Sequence, residues 1–367
     1  MSPLPLEGVT VVAIEQAVAA PFATVKLADA GARVIKIERK EGDFARGYDS
    51  VVKGQSSYFV WLNRGKESVS IDLTTAEGKA ELAKLLETAD VLVQNIKPGA
   101  LARLGFDAER LSREFPRLIT VSISGYGEGG PMAERKAYDL LIQADSGMCS
   151  ITGGPDSPAR VGISMADIAT GATTYSAILE ALIRRGVTGK GANIQVSMFD
   201  VMADWLTVPL LNHEGGKSPK RIGLAHPSIA PYGVFTCKDG AQVLISIQSD
   251  REWAKLADVF LGKPELARDP RFATNVARVA NRTETDAEVG AGFAARTLAE
   301  ATAAILAADV AFATVNDMQG LSDHPHLRRI TVDTPNGPVS YPAPAPIFVG
   351  EPRSYGPVPA LHQEVKA

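Results

Sequence analysis

Short apolar segments alternate with helical segments over about the first 200 residues, and this alternation constrains the fold more than any other feature. Residues 9–15 and 32–38 are predicted strands, joined by a helix over 22–30 that Gly31 stops. A strand, a helix and a second strand in this order form a parallel pair with a right-handed crossover. The pattern therefore predicts an α/β fold with a Rossmann-like, doubly wound large domain.

The alternation continues to the end of this predicted domain. Strands are predicted over 68–73, 91–94, 118–124 and 193–198, and helices over 75–89, over 107–114 and from Phe199 onward. Thr74, followed by Glu77, has the pattern of a capping box at the start of the helix over 75–89.

The composition of the chain and the pattern of its predicted elements change after residue 211. Residues 212–229 are polar and rich in small residues, which is typical of a linker. Two strands, joined at Asp239 and Gly240 by a hairpin, and three helices (252–260, 283–293 and 298–308) predict a smaller α+β domain over 230–325. We expect residues 1–211 and 326–367 to form the large domain together.

Composition excludes several classes of protein. The formal net charge is −4, so no basic field favours nucleic acid as a partner, and two cysteines give no disulfide framework or metal-binding spacing. His324 and His326 surround a proline and are expected in a polar loop, so no metal site is predicted. No secretory signal or membrane span is predicted, and we expect a cytoplasmic protein with no membrane partner.

The first strand–helix turn, residues 15–21, contains no glycine. The glycine-rich fingerprint with which a Rossmann domain binds a dinucleotide is therefore absent, and neither a nucleophile elbow nor a P-loop occurs elsewhere. Glu38 is followed at once by Arg39 and Lys40, which suits a ligand with a phosphate on its ribose or a solvated strand end.

A single carboxylate, Asp167, lies among small and apolar residues directly before the helical pattern over 168–185. Its position is that of an N-cap for a helix that Gly186 stops. The same surroundings suit a reactive group in a dry pocket, and the two interpretations are compatible because helix N-termini stabilise and orient carboxylates.

Several segments, in order, resemble the class III CoA-transferases, a family that includes the α-methylacyl-CoA racemases. The matching segments are 6–12, 20–21, 31–39, 42–43, 63–66, 71–73, 95–100, 104–105, 123–127 and 130–131. Segments 16–21, 42–48, 59–63 and 221–228 are most similar to the itaconate and mesaconyl-CoA transferases of that family.

The resemblance implies that Asp167 is the catalytic nucleophile and forms an anhydride with the donor acyl group and then a thioester with CoA. The chain would hold no permanently bound cofactor, because the coenzyme A thioester is a substrate. Its other partner would be a small carboxylic acid, and the family's interlocked homodimer is expected.

The resemblance also implies a set of CoA-binding residues: Gln16, Ala17, Val18, Ala19, Arg39, Ile71, Leu73, Thr74, Asn95, Ile96, Ala100, Arg103, Leu104, Lys136 and Tyr138. Recognition of a dicarboxylate requires a cation or polar groups near the acyl end. The candidates for that role are Arg46, Tyr48, His226 and Ser228.

Four functions are compatible with this sequence. The first is transfer of CoA from an acyl-CoA, such as succinyl-CoA, to itaconate, mesaconate, citramalate or malate, and the second moves CoA between the two carboxyl groups of mesaconyl-CoA. The third is racemisation of a 2-methylacyl-CoA, which Tyr138 disfavours because the racemases have a histidine there and an ordinary tyrosine is a poor proton carrier. The fourth is non-catalytic CoA binding.

Overall fold

A six-stranded parallel sheet forms the centre of the first unit of the chain. The computed structural model describes residues 3–361 and divides the chain into two units by internal contacts. Residues 1–2 and 362–367, which the predicted large domain includes, lie outside that description. The first unit comprises the chain up to Met148, Arg160–Leu211 and the part from Arg328 onward.

The strands are β1 (Thr10–Ile14), β2 (Arg33–Glu38), β3 (Lys66–Ser70), β4 (Val91–Gln94), β5 (Ile119–Ser124) and β6 (Ala192–Ser197). Their order in the sheet is β3-β2-β1-β4-β5-β6. This is the strand order of a Rossmann fold, and it confirms the predicted α/β architecture with a parallel sheet. The order reverses between β1 and β4, where ligands bind at the carboxyl edge of such sheets.

Helices cover both faces of the sheet. They are α1 (Ala19–Asp29), α2 (Ser57–Leu62), α3 (Ala76–Leu86), α4 (Ala100–Arg103), α5 (Ala108–Glu114), α6 (Asp139–Asp145), α7 (Met165–Thr188) and α8 (Met198–Trp205). Alternate residues of a strand face opposite sides, so Val11 packs with Leu27 and Ile178 in one core, while Val12 packs with Leu82 in the other.

The start of α3 differs from its prediction by one residue. Thr75, and not Thr74, is the N-cap, and its side chain accepts a hydrogen bond from the N–H of Gly78. The Thr74 hydroxyl instead donates to Asp72 over 2.6 Å. The predicted capping box of Thr74 and Glu77 is therefore wrong, because the chain offers two adjacent threonines and Asp72 engages the first.

The prediction that Asp167 caps a helix over 168–185 is also wrong. Helix α7 begins at Met165, which makes Asp167 its third residue, and the N-cap is Ser164, whose side chain accepts no hydrogen bond from the first turn. The carboxylate of Asp139 accepts hydrogen bonds from the N–H groups of Ala166 (2.7 Å) and Asp167 (3.2 Å). A side chain from α6 thus satisfies donors that Asp167 was expected to help satisfy.

The end of α7 lies beyond the predicted stop. Gly186 is helical, and the helix ends at Thr188 before Gly189, whose φ of 72° is left-handed. Glycine adopts this conformation without steric cost, which is why it commonly follows the last turn of a helix.

The remaining part of the first unit follows Arg328. Strands Arg329–Val332 and Val339–Pro342 pair in antiparallel fashion, and Val332 and Val358 share a small core with Phe59 of α2. The segment over 328–361 therefore packs on the sheet domain through its own hydrophobic cluster.

The second unit comprises Cys149–Ala159 and Asn212–Leu327. Its sheet has the order Ala311–Thr314, Gln242–Ser246, Tyr232–Thr236, and the last two strands form the predicted hairpin. Its helical elements are Asp250–Lys255 with the π-helical Leu256–Phe260, Asn275–Ala280, Arg282–Ala294, Leu298–Ala307 and Met318–Ser322. Their core includes Trp253, Phe260 and Phe293.

Six further short elements complete the part of the chain that the structure describes. They are the α-helices Met148–Ile151 and Thr207–Glu214, the 3-10 helices Phe44–Gly47 and Pro264–Ala267, and the paired strands Gly153–Gly154 and Ser157–Pro158. Among residues 3–361, no helix is both long and apolar enough to cross a membrane.

Gly171 of α7 lies in close contact with α1. A Cβ atom at this position would lie 2.5 Å from the carbonyl oxygen of Ala19 and 2.9 Å from Phe22 Cβ. We expect Gly171→Ala to lower the free energy of unfolding by about 1–3 kcal/mol through overpacking, measured by urea denaturation.

Gly186 of the same helix is the matched control, because a Cβ atom there meets nothing within 4 Å. Gly186→Ala should raise the stability by up to about 1 kcal/mol, as alanine favours a helix interior. Equal effects of the two substitutions would show that the close approach at Gly171 does not limit the packing.

Candidate functional site

A cleft of about 610 Å³ lies at the carboxyl edge of the sheet, where the strand order reverses. The turn after β1 contributes Gln16, Ala17, Val18 and Ala19, and the segment after β4 contributes Asn95 and Ile96. Asp167, in the first turn of α7, lines the same cleft. The cleft therefore brings a carboxylate of α7 to the place where a Rossmann-like sheet binds ligands.

Asp167 is a half-buried carboxylate with an altered affinity for protons. Burial, and then the negative charge of Asp139, raises its pKa from 3.8 to about 7. Asp139 is held in place because its second oxygen accepts a hydrogen bond of 2.7 Å from the Gln143 side chain. A carboxylate with this pKa is partly removed from water, which makes it more reactive towards an electrophile than a solvated one.

The residue that follows the neighbouring strand β4 binds the backbone of the turn after β1. Asn95 accepts a hydrogen bond of 2.9 Å from the N–H of Gln16 and donates one of 2.8 Å to the carbonyl oxygen of the same residue. This reciprocal pair fixes the turn against the segment that follows β4.

Aromatic side chains form another part of the cleft wall. Tyr48 contacts Phe44 and Tyr58 with ring centroids 5.6 and 5.5 Å apart, and the Tyr58 hydroxyl lies 3.4 Å from Ser164 Oγ. Burial, together with nearby carboxylates, raises the pKa of Tyr48 to about 12. Tyr48 is therefore a neutral hydrogen-bond donor at physiological pH.

The cleft also carries cationic side chains. The ammonium nitrogen of Lys97 lies 3.5 Å from a carboxylate oxygen of Glu134, and the guanidinium of Arg135 lies 3.6 Å from a carboxylate oxygen of Asp145. Lys136 and Arg160 line the same cleft and form no ion pair within the part of the chain that the structure describes. These two cations are available to an anionic ligand.

A model of CoA-transferase family III matches residues 6–364. The chain belongs to this family. This confirms the resemblance seen in the sequence and shows that the protein is a CoA-transferase.

Among curated relatives, an acetyl-CoA:oxalate CoA-transferase of Acetobacter aceti is 44% identical over 76% of this chain and 72% of its own. A succinate–glutarate CoA-transferase of Agrobacterium fabrum is 40% identical over the same shares. The crystal structure of a CAIB/BAIF family protein from Brucella suis, 36% identical, matches with a TM-score of 0.84 over 98% of this chain and 97% of that one.

The cleft of this transferase brings together many of the residues that the sequence assigns to CoA, substrate or catalysis. They are Gln16, Ala17, Val18, Ala19, Tyr48, Asn95, Ile96, Lys136, Tyr138 and Asp167. Their roles toward CoA remain predictions.

Other predicted CoA-binding residues lie outside the cleft lining, and these are Arg39, Ile71, Leu73, Thr74, Ala100, Arg103 and Leu104. Ile71 is buried in the hydrophobic core, where Leu73 and Leu104 also pack, and Arg103 donates to the carbonyl oxygen of Pro98. Arg39 is exposed at the end of β2.

Arg46, predicted to contact substrate, is engaged within the protein. Its guanidinium donates two hydrogen bonds, of 2.9 and 2.7 Å, to the buried carboxylate of Glu38 and stacks over the Phe59 ring. Burial opposes ionisation of Glu38, but Arg46 and Lys36 outweigh it and lower its pKa to about 2. The structure thus gives Arg46 a partner that the sequence did not indicate.

His226 and Ser228 belong to the second unit. The His226 ring stacks on Tyr232 with centroids 5.2 Å apart, and its Nδ1 accepts a hydrogen bond from the N–H of Ser228. Arg282 donates to the carbonyl oxygens of His226 and Ile229. Contacts within the second unit therefore hold the segment that contains His226 and Ser228.

Sequence reasoning missed Asp139, Tyr58 and Arg160 as residues of the cleft or of its immediate support. Asp139 and Arg160 are close in sequence to Tyr138 and Asp167, but a charged residue next to a motif ordinarily lies on the surface with no role in the site. No local pattern distinguishes Tyr58 from a core aromatic residue. No group of three metal-ligating side chains occurs within residues 3–361.

The raised pKa of Asp167 has a consequence for stability. Its pKa in the folded state, about 7, exceeds the ordinary value of 3.8, so the folded protein holds this proton more tightly than the unfolded chain does. The stabilisation of the fold by this proton is complete below about pH 4 and is lost as the pH rises through 7. Asp167→Asn removes this loss. The melting temperature of the variant, relative to the parent, should therefore increase between pH 5 and pH 8 in scanning calorimetry.

Asp107, the N-cap of α5, provides the control. The N–H of Arg110 lowers its pKa, so this carboxylate is ionised across that whole pH range. Asp107→Asn should give a difference in melting temperature that does not change between pH 5 and 8. The same flat response for Asp167→Asn would contradict the raised pKa.

Proposed function

We propose that this CoA-transferase moves CoA from succinyl-CoA to a small dicarboxylic acid through covalent intermediates on Asp167. The observation that carries the proposal is the partly desolvated carboxylate of Asp167, with a pKa of about 7, in the cleft at the carboxyl edge of the sheet. The oxalate and glutarate transferases described above, whose named acceptors are dicarboxylates, support this class of substrate.

The reaction begins when a carboxylate oxygen of Asp167 attacks the thioester carbonyl carbon of succinyl-CoA. The carbon–sulfur bond breaks, which gives a mixed anhydride on Asp167 and a free CoA thiolate. The thiolate then attacks the aspartyl carbonyl carbon of the anhydride, forms an aspartyl-CoA thioester and releases succinate. This second step keeps CoA on the enzyme while the two acids exchange.

The acceptor acid completes the cycle by the reverse steps. Its carboxylate attacks the aspartyl-CoA thioester, which gives a new anhydride and frees the thiolate again. The thiolate attacks the acceptor's acyl carbon, so that the acceptor leaves as its CoA thioester and Asp167 is regenerated as a carboxylate. Each tetrahedral intermediate carries an oxyanion, and backbone N–H groups beside the cleft are the proposed donors to it.

CoA is proposed to extend from Asp167 along the turn after β1 and the segment after β4. Gln16, Ala17, Val18 and Ala19 would contact the pantetheine arm near the thioester, with Tyr138 on the channel wall. Lys136 and Arg39 would form charge-assisted contacts with the phosphates. Ile71, Leu73 and Thr74 would form the wall on the adenine side. The segment that flanks the CoA would comprise Asn95, Ile96, Ala100, Arg103 and Leu104.

The protein is further proposed to be a cytoplasmic, interlocked homodimer. Trp205, Val208 and Leu211, at the end of α8 and on the next helix, are exposed by 49, 68 and 61%. Large exposed apolar side chains so close together in the chain are typical of a surface that a partner covers. Size-exclusion chromatography with light scattering measures the oligomeric state directly.

Trapping with hydroxylamine tests the covalent mechanism. In the presence of succinyl-CoA, hydroxylamine should convert the activated side chain of Asp167 into a hydroxamate, located by tandem mass spectrometry. Asp167→Ala should lose roughly 10³-fold or more of the transfer rate while it still binds CoA. Asp204→Ala, an exposed carboxylate at the end of α8, should leave the rate unchanged.

The outcomes of this experiment separate the alternative functions. Absence of the hydroxamate under turnover would contradict transfer through Asp167. Exchange of the α-proton of a 2-methylacyl-CoA with deuterium oxide would indicate a racemase instead. Conversion of mesaconyl-CoA without an added acceptor would indicate intramolecular transfer.

Arg160 is the proposed partner of the second carboxylate of the acceptor. It is exposed in the cleft with Asp167, and within residues 3–361 it forms no ion pair. We expect Arg160→Gln to raise the KM for dicarboxylate acceptors about tenfold, the loss of one charge-assisted contact, with little effect on a monocarboxylate such as butyrate.

A panel of acceptors with succinyl-CoA as donor makes this measurement. It should include itaconate, mesaconate, citramalate, malate, oxalate and glutarate. Arg184→Gln, an exposed arginine elsewhere on α7, is the matched control. An equal rise in KM for butyrate and for the dicarboxylates would argue against recognition of a second carboxylate by Arg160.

A further inference from the structure

The turn after β1 holds a non-glycine residue in a left-handed conformation. Ala17 has a φ of 62°, which its Cβ atom disfavours, and it lines the cleft with Asp167. Such a conformation persists only where the surrounding structure imposes it, and it is found disproportionately at active sites. The groups that impose it are therefore candidates for a role in the reaction.

Side chains from three separate segments bind the backbone of this turn. Lys36 of β2 donates to the carbonyl oxygen of Glu15 over 3.3 Å, and Asn95 forms its reciprocal pair with Gln16. The carboxylate of Asp43 accepts a hydrogen bond of 3.1 Å from the N–H of Ala17 itself. Asp43 is thus the side chain that contacts the strained residue directly.

Asp43 is itself rigidly held. Its side chain is buried, with one oxygen 2.9 Å from the fully buried ammonium of Lys36 and the other also accepting from the N–H of Ala45 over 2.9 Å. Its own N–H donates to Glu38 over 2.7 Å. The carboxylate therefore has a defined position and a charged partner.

A buried network extends this support to β3. Glu15 lies 3.4 Å from the ammonium of Lys36 and 2.6 Å from that of Lys66, and both lysines are buried. Burial would raise the pKa of Glu15, but the two ammonium groups outweigh it and keep the pKa below its ordinary value. Buried ion pairs add little net stability to a protein, and one recognised use is to specify a single arrangement.

We propose that Asp43 is a positioning residue for transfer at Asp167, because it holds Ala17 in its left-handed form in the cleft that Asp167 also lines. The proposal rests on the function proposed above. Asp43 is absent from the lining of the cleft, so it acts through Ala17 and does not touch the substrate. A small displacement of the turn would misplace the thioester and slow the chemical steps more than it weakens binding.

A double-mutant cycle of Asp43→Ala and Ala17→Gly tests this role. We expect Asp43→Ala to lower kcat about tenfold or more, while the KM for succinyl-CoA changes less than about threefold. Glycine adopts a left-handed φ without steric cost. The loss of kcat caused by Asp43→Ala should therefore be at least about threefold smaller when residue 17 is glycine.

Asp29→Ala is the matched control. Asp29, like Asp43, is a carboxylate of the first unit with a cationic partner, in its case Arg64, but neither it nor Arg64 lines the cleft. It should reduce thermal stability without changing kcat per folded molecule. If Asp43→Ala does not fold, Asp43→Leu takes its place in the cycle, because leucine keeps the approximate size of the side chain and removes the oxygen that accepts from the N–H of Ala17.

The results separate this proposal from the proposed function. An effect on kcat equal to that of Asp29→Ala, or an absence of coupling to residue 17, would overturn the positioning role even if hydroxylamine labels Asp167 in the parent. Coupling without any labelling of Asp167 would support the role of the turn and overturn the nucleophile instead.

Discussion

The close packing of α1 on α7 at Gly171 is the contact on which the geometry of the cleft depends. The absence of a side chain at Gly171 lets the helix approach the carbonyl oxygen of Ala19, the first residue of α1. Asp167 precedes Gly171 by four residues, about one helical turn, and so lies on the same side of α7. The contact therefore places the carboxylate beside the turn that follows β1.

The carboxylates around that turn have different surroundings, and those of Glu38 and Asp167 have different pKa values because their neighbours carry opposite charges. Glu38 binds the guanidinium of Arg46 and has a pKa of about 2, whereas burial and the charge of Asp139 raise that of Asp167 to about 7. Asp43 is paired with Lys36. Glu38 and Asp43 thus have cationic partners and accept hydrogen bonds from backbone N–H groups, whereas Asp167 forms no ion pair within residues 3–361.

Much of the sheet domain could be predicted from the sequence. The strand over 91–94 has the predicted limits, and the other strands differ by one to three residues at an end. Apolar segments between turn residues determine these strands locally. The role of Asp167 as an N-cap could not be judged in this way, because Asp139, 28 residues earlier, supplies the acceptor for the first turn of α7. The partner of Arg46 was missed for a similar reason, since any acidic residue could have met it.

The sequence by itself determined the parallel α/β sheet, the family and the one aspartate in a segment of small residues. These follow from local periodicity and from motifs whose residues are adjacent in the chain. Only the tertiary structure decided the protonation of Asp167, the availability of Arg160 and the support of Ala17 by Asp43. Each of these depends on burial or on distances between segments far apart in sequence, and no local pattern encodes such quantities.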